Sequence, residues 1–245
     1  MNHHGDGMAS SASHFCTKLH IWLELAGLPY TLLPANGPDG PYGEVYSYSS
    51  CHLVKLSGKA PYIELNGQVY ADSSAIVKML SDKYGKDLDA DLSLEQRAMS
   101  IAVQRMVEEH TYFLTLADMA LQDGAFEVLN KKLMNLPTVA RWIFPTFLLR
   151  SFKAILNGQG IGRLPEVDRK RRMKEDIEAL SIILGEKKYL VNDDKPSTID
   201  ATVFGYLWSN FDTDSEFTKY MSCCTESEKY DNLMAYYTRM REMML

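Results

Sequence analysis

A small α/β unit followed by a longer all-helical region is the fold class this sequence predicts, and three observations predict it. Tyr62 to Leu65 and Gln68 to Tyr70 are short strand-like runs joined at Asn66-Gly67, a dipeptide suited to the positive φ angles of a type I′ hairpin turn. One helical pattern precedes this hairpin and another follows it directly. Beyond Asp91 the chain carries only helical periodicity, opened by a capping box at Ser93 and Gln96. The 245 residues suffice for two domains. We read residues 1–13 as a disordered N-terminus, 14–86 as the α/β domain and 92–245 as the helical domain.

The elements follow in order. Leu19, Trp22, Leu23 and Ala26 fall at helical spacing from about Phe15, and Gly27 stops that helix. Pro29 to Leu33 reads as a strand. Asn36 to Tyr48, rich in Gly, Pro, Ser and Tyr, reads as a loop. After the hairpin, Ser74 to about Lys83 is helical, with Ile76, Met79 and Leu80 as its apolar stripe. Gly85 and a charged run to Asp91 mark the linker. A long helix then passes His110, with Met106, His110 and Phe113 as a buried stripe and Arg105 paired with Glu109. Packing is favoured over catalysis for Glu108, Glu109 and His110. Trp142 to Leu156 mixes aromatics, leucines and cations. A helix pair interrupted at Pro145 is favoured there over peripheral membrane association. Glu166 to Leu184 is amphipathic, and Ser197-Thr198-Ile199-Asp200 is a second capping box that starts an apolar helix.

Composition narrows the function classes. Apolar residues make up 46% and charged residues 24%, as in a soluble globule, and the net charge of −6 gives no reason to expect nucleic acid. Four cysteines in a chain this long are no disulfide framework, which points to a reducing compartment, with the cytoplasm as the expected location. Cys223-Cys224 are adjacent, a poor spacing for a shared metal, and no metal site is expected. There is no run of 18 apolar residues, so no transmembrane helix is expected, and Met1 to Ser13 lacks a signal-peptide pattern.

The stretch from Pro61 to Ser73 is the strongest binding candidate. Backbone beside Pro61 is placed to pair with a small extended peptide, as an added strand would. Asp72 and Ser73 open a helix whose unpaired N–H groups and dipole suit a charged peptide end. The plainer alternative is that Pro61 shapes a turn and Asp72 or Ser73 caps the helix.

With this hairpin, the helix after it and the Ser197…Asp200 box, the chain resembles the glutathione transferases. A narrower resemblance rests on Arg105-Met106-Val107-Glu108-Glu109-His110-Thr111-Tyr112-Phe113, Gln159-Gly160-Ile161-Gly162-Arg163 and Asp200-Ala201-Thr202-Val203-Phe204-Gly205. These are similar to the failed-axon-connections family, related to the metaxins. The resemblance implies a thioredoxin-like first domain, a helical transferase-type second domain and glutathione as cosubstrate with a small electrophile. Lys59, Ala60, Pro61, Asp72 and Ser73 match its peptide-binding positions, and Ser197 and Asp200 its folding box. Ser13 and Cys16 match its reactive positions, Ser13 as donor to the glutathione thiolate or Cys16 as partner in a mixed disulfide. Against these stand a capping role for Ser13 and a core position for Cys16. Metaxin-type relatives imply the alternative of a non-catalytic interaction protein, with a protein partner or homodimer and the mitochondrial outer surface as a second location. One departure stands out: Met1 to Ala12 carries no strand pattern, so a sheet lacking its first, inner strand is expected.

Overall fold

The computed structural model describes residues 13–34, 44–47, 61–127, 138–211 and 230–245. Helix α1, His14–Ala26, is closed by a left-handed Gly27, with backbone N–H groups of Gly27 and Leu28 donating to Glu24 and Leu23. Nearly its whole circumference is buried, including Thr17, Lys18 and His20 among apolar residues. A helix buried all round lies in the core, and α1 does so because it is the layer shared by both domains.

Strands β1, Thr31–Pro34, and β2, Glu44–Ser47, pair antiparallel with Thr31 opposite Ser47. The loop expected over 36–48 is therefore corrected at Glu44–Ser47, where Val45 and Tyr46 supply strand propensity opposite Leu32 and Leu33. Strands β3, Tyr62–Leu65, and β4, Gln68–Ala71, form the expected hairpin, with Asn66 and Gly67 at φ of 53° and 79°. Ile63 and Leu65 point to the core from alternate positions. Among the described residues ladder pairing forms these two ribbons, and an α/β unit followed by helices matches the expected fold class. Met1 to Ala12 lies outside the described residues.

Helix α2, Ser73–Tyr84, ends at Gly85. The linker is fastened to the helical domain, since Asp89 Oδ1 accepts from the Thr198 N–H at 2.8 Å and Lys195 donates to Asp91 at 2.6 Å. Helix α3, Leu94–Met106, opens on the predicted box: Gln96 N–H donates to Ser93 Oγ, and Ser93 N–H to Gln96 Oε1. A π-helical turn, Val107–Thr111, joins it to α4, Tyr112–Leu121. This turn shifts the helical phase. Met106, His110 and Phe113 are consequently only half-buried, while Val107, Glu108, Thr111 and Leu114 face inward. The expected Arg105–Glu109 pair is replaced by Arg105 beside Glu108, at 4.0 Å.

Helix α5, Thr138–Gln159, runs through Pro145 without a break, which corrects the expected helix pair. One missing N–H donor does not end a 22-residue helix. Helices α6, Glu166–Leu184, α7, Thr198–Phe211, and α8, Asp231–Met244, follow in the second domain. Among the described residues no helix is long and apolar enough to cross a membrane.

The two domains meet where α1 crosses α7. Gly205 allows it: a Cβ there would sit 2.9 Å from the Lys18 backbone N and 3.0 Å from its Cα. Beside the crossing, Thr17 and Ser209 share a buried hydroxyl hydrogen bond of 2.9 Å. Gly205→Ala should therefore cost about 1–3 kcal/mol, because backbone rather than a flexible side chain must move. A urea midpoint unchanged from the parent would contradict this close approach.

Candidate functional site

Three elements build the site around the first turn of α2. The chain enters from β4 and reverses at Asp72, whose backbone lies at φ 73°, ψ 116°. A non-glycine residue in the left-handed half of the map is strained by about 1–3 kcal/mol and concentrates at functional sites. Asp72 Oδ1 accepts from the N–H groups of Ser74 and Ala75, both at 3.0 Å. One carboxylate oxygen thus caps the helix, so the capping alternative is realised, while the residue stays exposed. Ser73 is buried, yet its hydroxyl makes no hydrogen bond among the described residues. Pro61, also buried, immediately precedes β3. Lys59 and Ala60 lie outside the described residues.

Behind this turn lies a polar cluster that the sequence did not single out. Lys18 is 1% exposed and its Nζ donates to Glu108 Oε1 at 2.5 Å and to Ser74 Oγ at 2.9 Å. Gln104 Nε2 donates to the same Ser74 Oγ at 2.8 Å and to Glu108 Oε2 at 3.0 Å. Side chains from α1, α2, α3 and the π turn therefore form one hydrogen-bonded cluster that includes Ser74, the residue next to Ser73. The signal for Lys18 was a cation inside an otherwise apolar helix. Nothing local marked Glu108, whose inward orientation depends on the π turn.

The candidate reactive residues sit at the start of α1. Ser13 is half-buried at the N-cap position and makes no capping bond through its side chain; its carbonyl accepts from the N–H groups of Cys16 and Thr17. Cys16 is in no disulfide among the described residues and is packed in the core with no solvent exposure. That position fits the core alternative and gives a soluble disulfide partner no access. Between them His14 is buried against Phe15, Tyr112 and Tyr206, with ring centroids 3.8, 4.7 and 5.9 Å away. Burial, reinforced by the nearby Lys18 ammonium, lowers the His14 imidazole from 6.5 to about 3.

Ser197 and Asp200 act at the start of α7. Asp200 is fully buried and accepts from the backbone N–H and the hydroxyl of Ser197, both at 2.8 Å, from Leu190 N–H at 2.8 Å and from Tyr236 at 3.1 Å. Burial raises its carboxyl, and these donors partly offset the rise. The box thereby ties the start of α7 to the preceding loop and to α8. Another acid, Asp176 on α6, accepts from Thr111 and lies 2.7 Å from His110 Nδ1. Among the described residues no three metal-ligating side chains gather.

Comparison with known proteins agrees with this architecture. Residues 14–124 match the family described as glutathione S-transferase N-terminal domain, and residues 173–240 match its glutathione S-transferase C-terminal domain. The chain is 35% identical over 204 residues to the isoprene-epoxide–glutathione S-transferase of Rhodococcus sp. (strain AD45), covering 73% of this chain and 84% of that protein. The chain belongs to the glutathione S-transferase family. It is also 29% identical over 242 residues to Failed axon connections of Drosophila melanogaster, covering 95% of this chain. It spans 54% of that fly protein's length.

Solved structures share the fold. The β-etherase LigF of Sphingobium sp. strain SYK-6 superposes with a TM-score of 0.60 at 16% identity, covering 96% of each chain. Glutathione S-transferase 1-6 of Anopheles dirus species B gives 0.55 at 17% identity, covering 98% of this chain and 90% of that one.

Proposed function

We propose that this glutathione S-transferase family member binds glutathione at the first turn of α2 and conjugates it to small electrophiles. One observation carries the reading. The strained Asp72 backbone presents a buried, uncommitted Ser73 hydroxyl at a helix N-terminus, beside Pro61. A γ-glutamyl carboxylate fits that turn, and the extended peptide backbone fits the edge beside Pro61. Ser13 is the donor proposed for the glutathione thiolate, which its hydrogen bond would stabilise. In conjugation the sulfur forms a bond to an electrophilic carbon. For an epoxide, the class named in the Rhodococcus relative, the C–O bond breaks and the alkoxide takes a proton.

Calorimetric titration with reduced glutathione tests the binding step. Ser73→Ala should weaken binding about tenfold or more at unchanged thermal stability, since it removes one hydrogen bond to a charged group. No saturation of the parent at about 10 mM, ten times a Kd of about 1 mM, would sink the reading.

A second reading keeps the fold without the chemistry: a non-catalytic interaction protein. It is favoured by the enclosed Cys16, which leaves Ser13 alone among the two candidate reactive groups, and by the similarity to the fly protein across 95% of this chain. Glutathione binding without any epoxide turnover would select this reading over the first.

A further inference from the structure

Between α1, α2, the linker and the start of α7 lies a cavity of about 200 Å³. Its walls carry hydrogen-bond donors that nothing among the described residues uses. Lys18 has three ammonium protons and spends two, on Ser74 and Glu108. The Ser74 hydroxyl oxygen accepts from both Lys18 and Gln104, so its own proton is uncommitted. Trp22 is 1% exposed, and its indole N–H meets no acceptor among the described residues. Leaving a buried donor unmet is costly, and here three of them border one space.

The linker side of the cavity has the opposite character. Asp87 and Asp89 line it. Each spends one carboxylate oxygen on backbone, Asp87 on Asp89 N–H and Asp89 on Thr198 N–H, and neither spends the other among the described residues. Lys78 on the same rim is committed to Asp82 at 3.0 Å. Trp22 and Val77 add apolar surface. Pockets for drug-sized ligands begin near about 300 Å³, so this space suits something smaller.

We infer that this cavity is a second small-molecule site, distinct from the peptide turn at Ser73, and that it takes a free α-amino acid with a small apolar side chain. The carboxylate accepts from Lys18, Ser74 and Trp22, and the ammonium donates to Asp87 and Asp89. Charge decides against simpler ligands. The Lys18 charge is already matched by Glu108, so a bare anion would bring an unbalanced charge beside two aspartates, and a bare cation would leave the three donors unmet.

The test is calorimetric titration of the full chain with L-valine and its two half-analogues, isovalerate and isobutylamine, without glutathione. L-Valine should saturate, with each half-analogue at least tenfold weaker. Ser74→Ala and Trp22→Phe should each weaken L-valine about tenfold, whereas Ser73→Ala should leave it unchanged. Should Trp22→Phe fail to fold, Ser74→Ala carries the test alone. Isovalerate binding as tightly as L-valine, no saturation by L-valine at about 10 mM, or displacement of L-valine by glutathione would each overturn the inference. Failure of glutathione to bind leaves the L-valine result intact, so the two readings fail separately.

Discussion

Glu108→Gln should lower the unfolding free energy by about 3–5 kcal/mol, and Lys18→Met by a similar or smaller amount, because each leaves one charge buried without its partner. The two side chains are 5% and 1% exposed and meet at 2.5 Å. Against a typical stability of about 5–15 kcal/mol, either change removes a large share. The two variants need not be equal. In Lys18→Met the carboxylate keeps Gln104 at 3.0 Å and Arg105 at 4.0 Å, whereas in Glu108→Gln the ammonium keeps Ser74 and a neutral amide oxygen. The double variant Lys18→Met, Glu108→Leu should recover most of the loss, since an apolar pair of similar volume can replace a buried ion pair at little net cost. A urea double-mutant cycle reads the coupling directly. Single variants costing under about 1 kcal/mol would mean that water reaches the pair and that its burial is only nominal.

The pair also explains how the domains hold the binding turn. Lys18 comes from the α/β domain and Gln104 and Glu108 from the helical one; Lys18 and Gln104 both donate to Ser74, one residue from Ser73, and Glu108 accepts from both donors. A shift of α1 on α7 would therefore be felt at the first turn of α2. Gly205 sets how closely those helices approach, so the proposed glutathione turn depends on a glycine outside its own domain.

Local features were legible in the sequence where local rules govern them. Asn66-Gly67 specified its turn, Gly27 its helix end, and Ser93 with Gln96 its box, because each is decided within a few residues. Ser197 and Asp200 were legible for the same reason, although their carboxylate also reaches Leu190 and Tyr236. The inner face of the long helix was not. Spacing of 3.6 residues places Met106, His110 and Phe113 together, and the π turn rotates that set away. Its cause is tertiary: Thr111 bonds both the Met106 carbonyl and Asp176, 65 residues later. The candidate site divides along the same line. Asp72 and Ser73 were readable as a helix start, while the Lys18, Ser74, Gln104 and Glu108 cluster joins four separate elements and leaves no pattern in any one of them.

Acid should weaken the fold well above the carboxylate range, through histidines that stay neutral when folded. His14 and His20 are 4% and 3% exposed, and burial lowers them from 6.5 to about 3 and about 4. Glu24 lies 3.7 Å from His20 and favours its charged form, but desolvation outweighs it. Below pH 6.5 the unfolded chain binds these protons and the folded chain does not, so stability falls as pH falls, at about 1.4 kcal/mol per unit for each histidine. At pH 5, which is 1.5 units below the ordinary 6.5, the two together remove about 4 kcal/mol relative to neutral pH. The decline continues until about pH 4 for His20 and about pH 3 for His14. Asp200 acts in the opposite sense, because its raised carboxyl takes a proton in the folded chain first and so favours folding as pH falls through its range. His14→Phe isolates one of the two contributions, since an aromatic ring of similar size keeps the contacts with Phe15, Tyr112 and Tyr206. Urea unfolding at pH 7 and pH 5 should show the variant losing about 2 kcal/mol less than the parent between the two. Equal losses in both proteins would place the proton uptake elsewhere and contradict a neutral, buried His14.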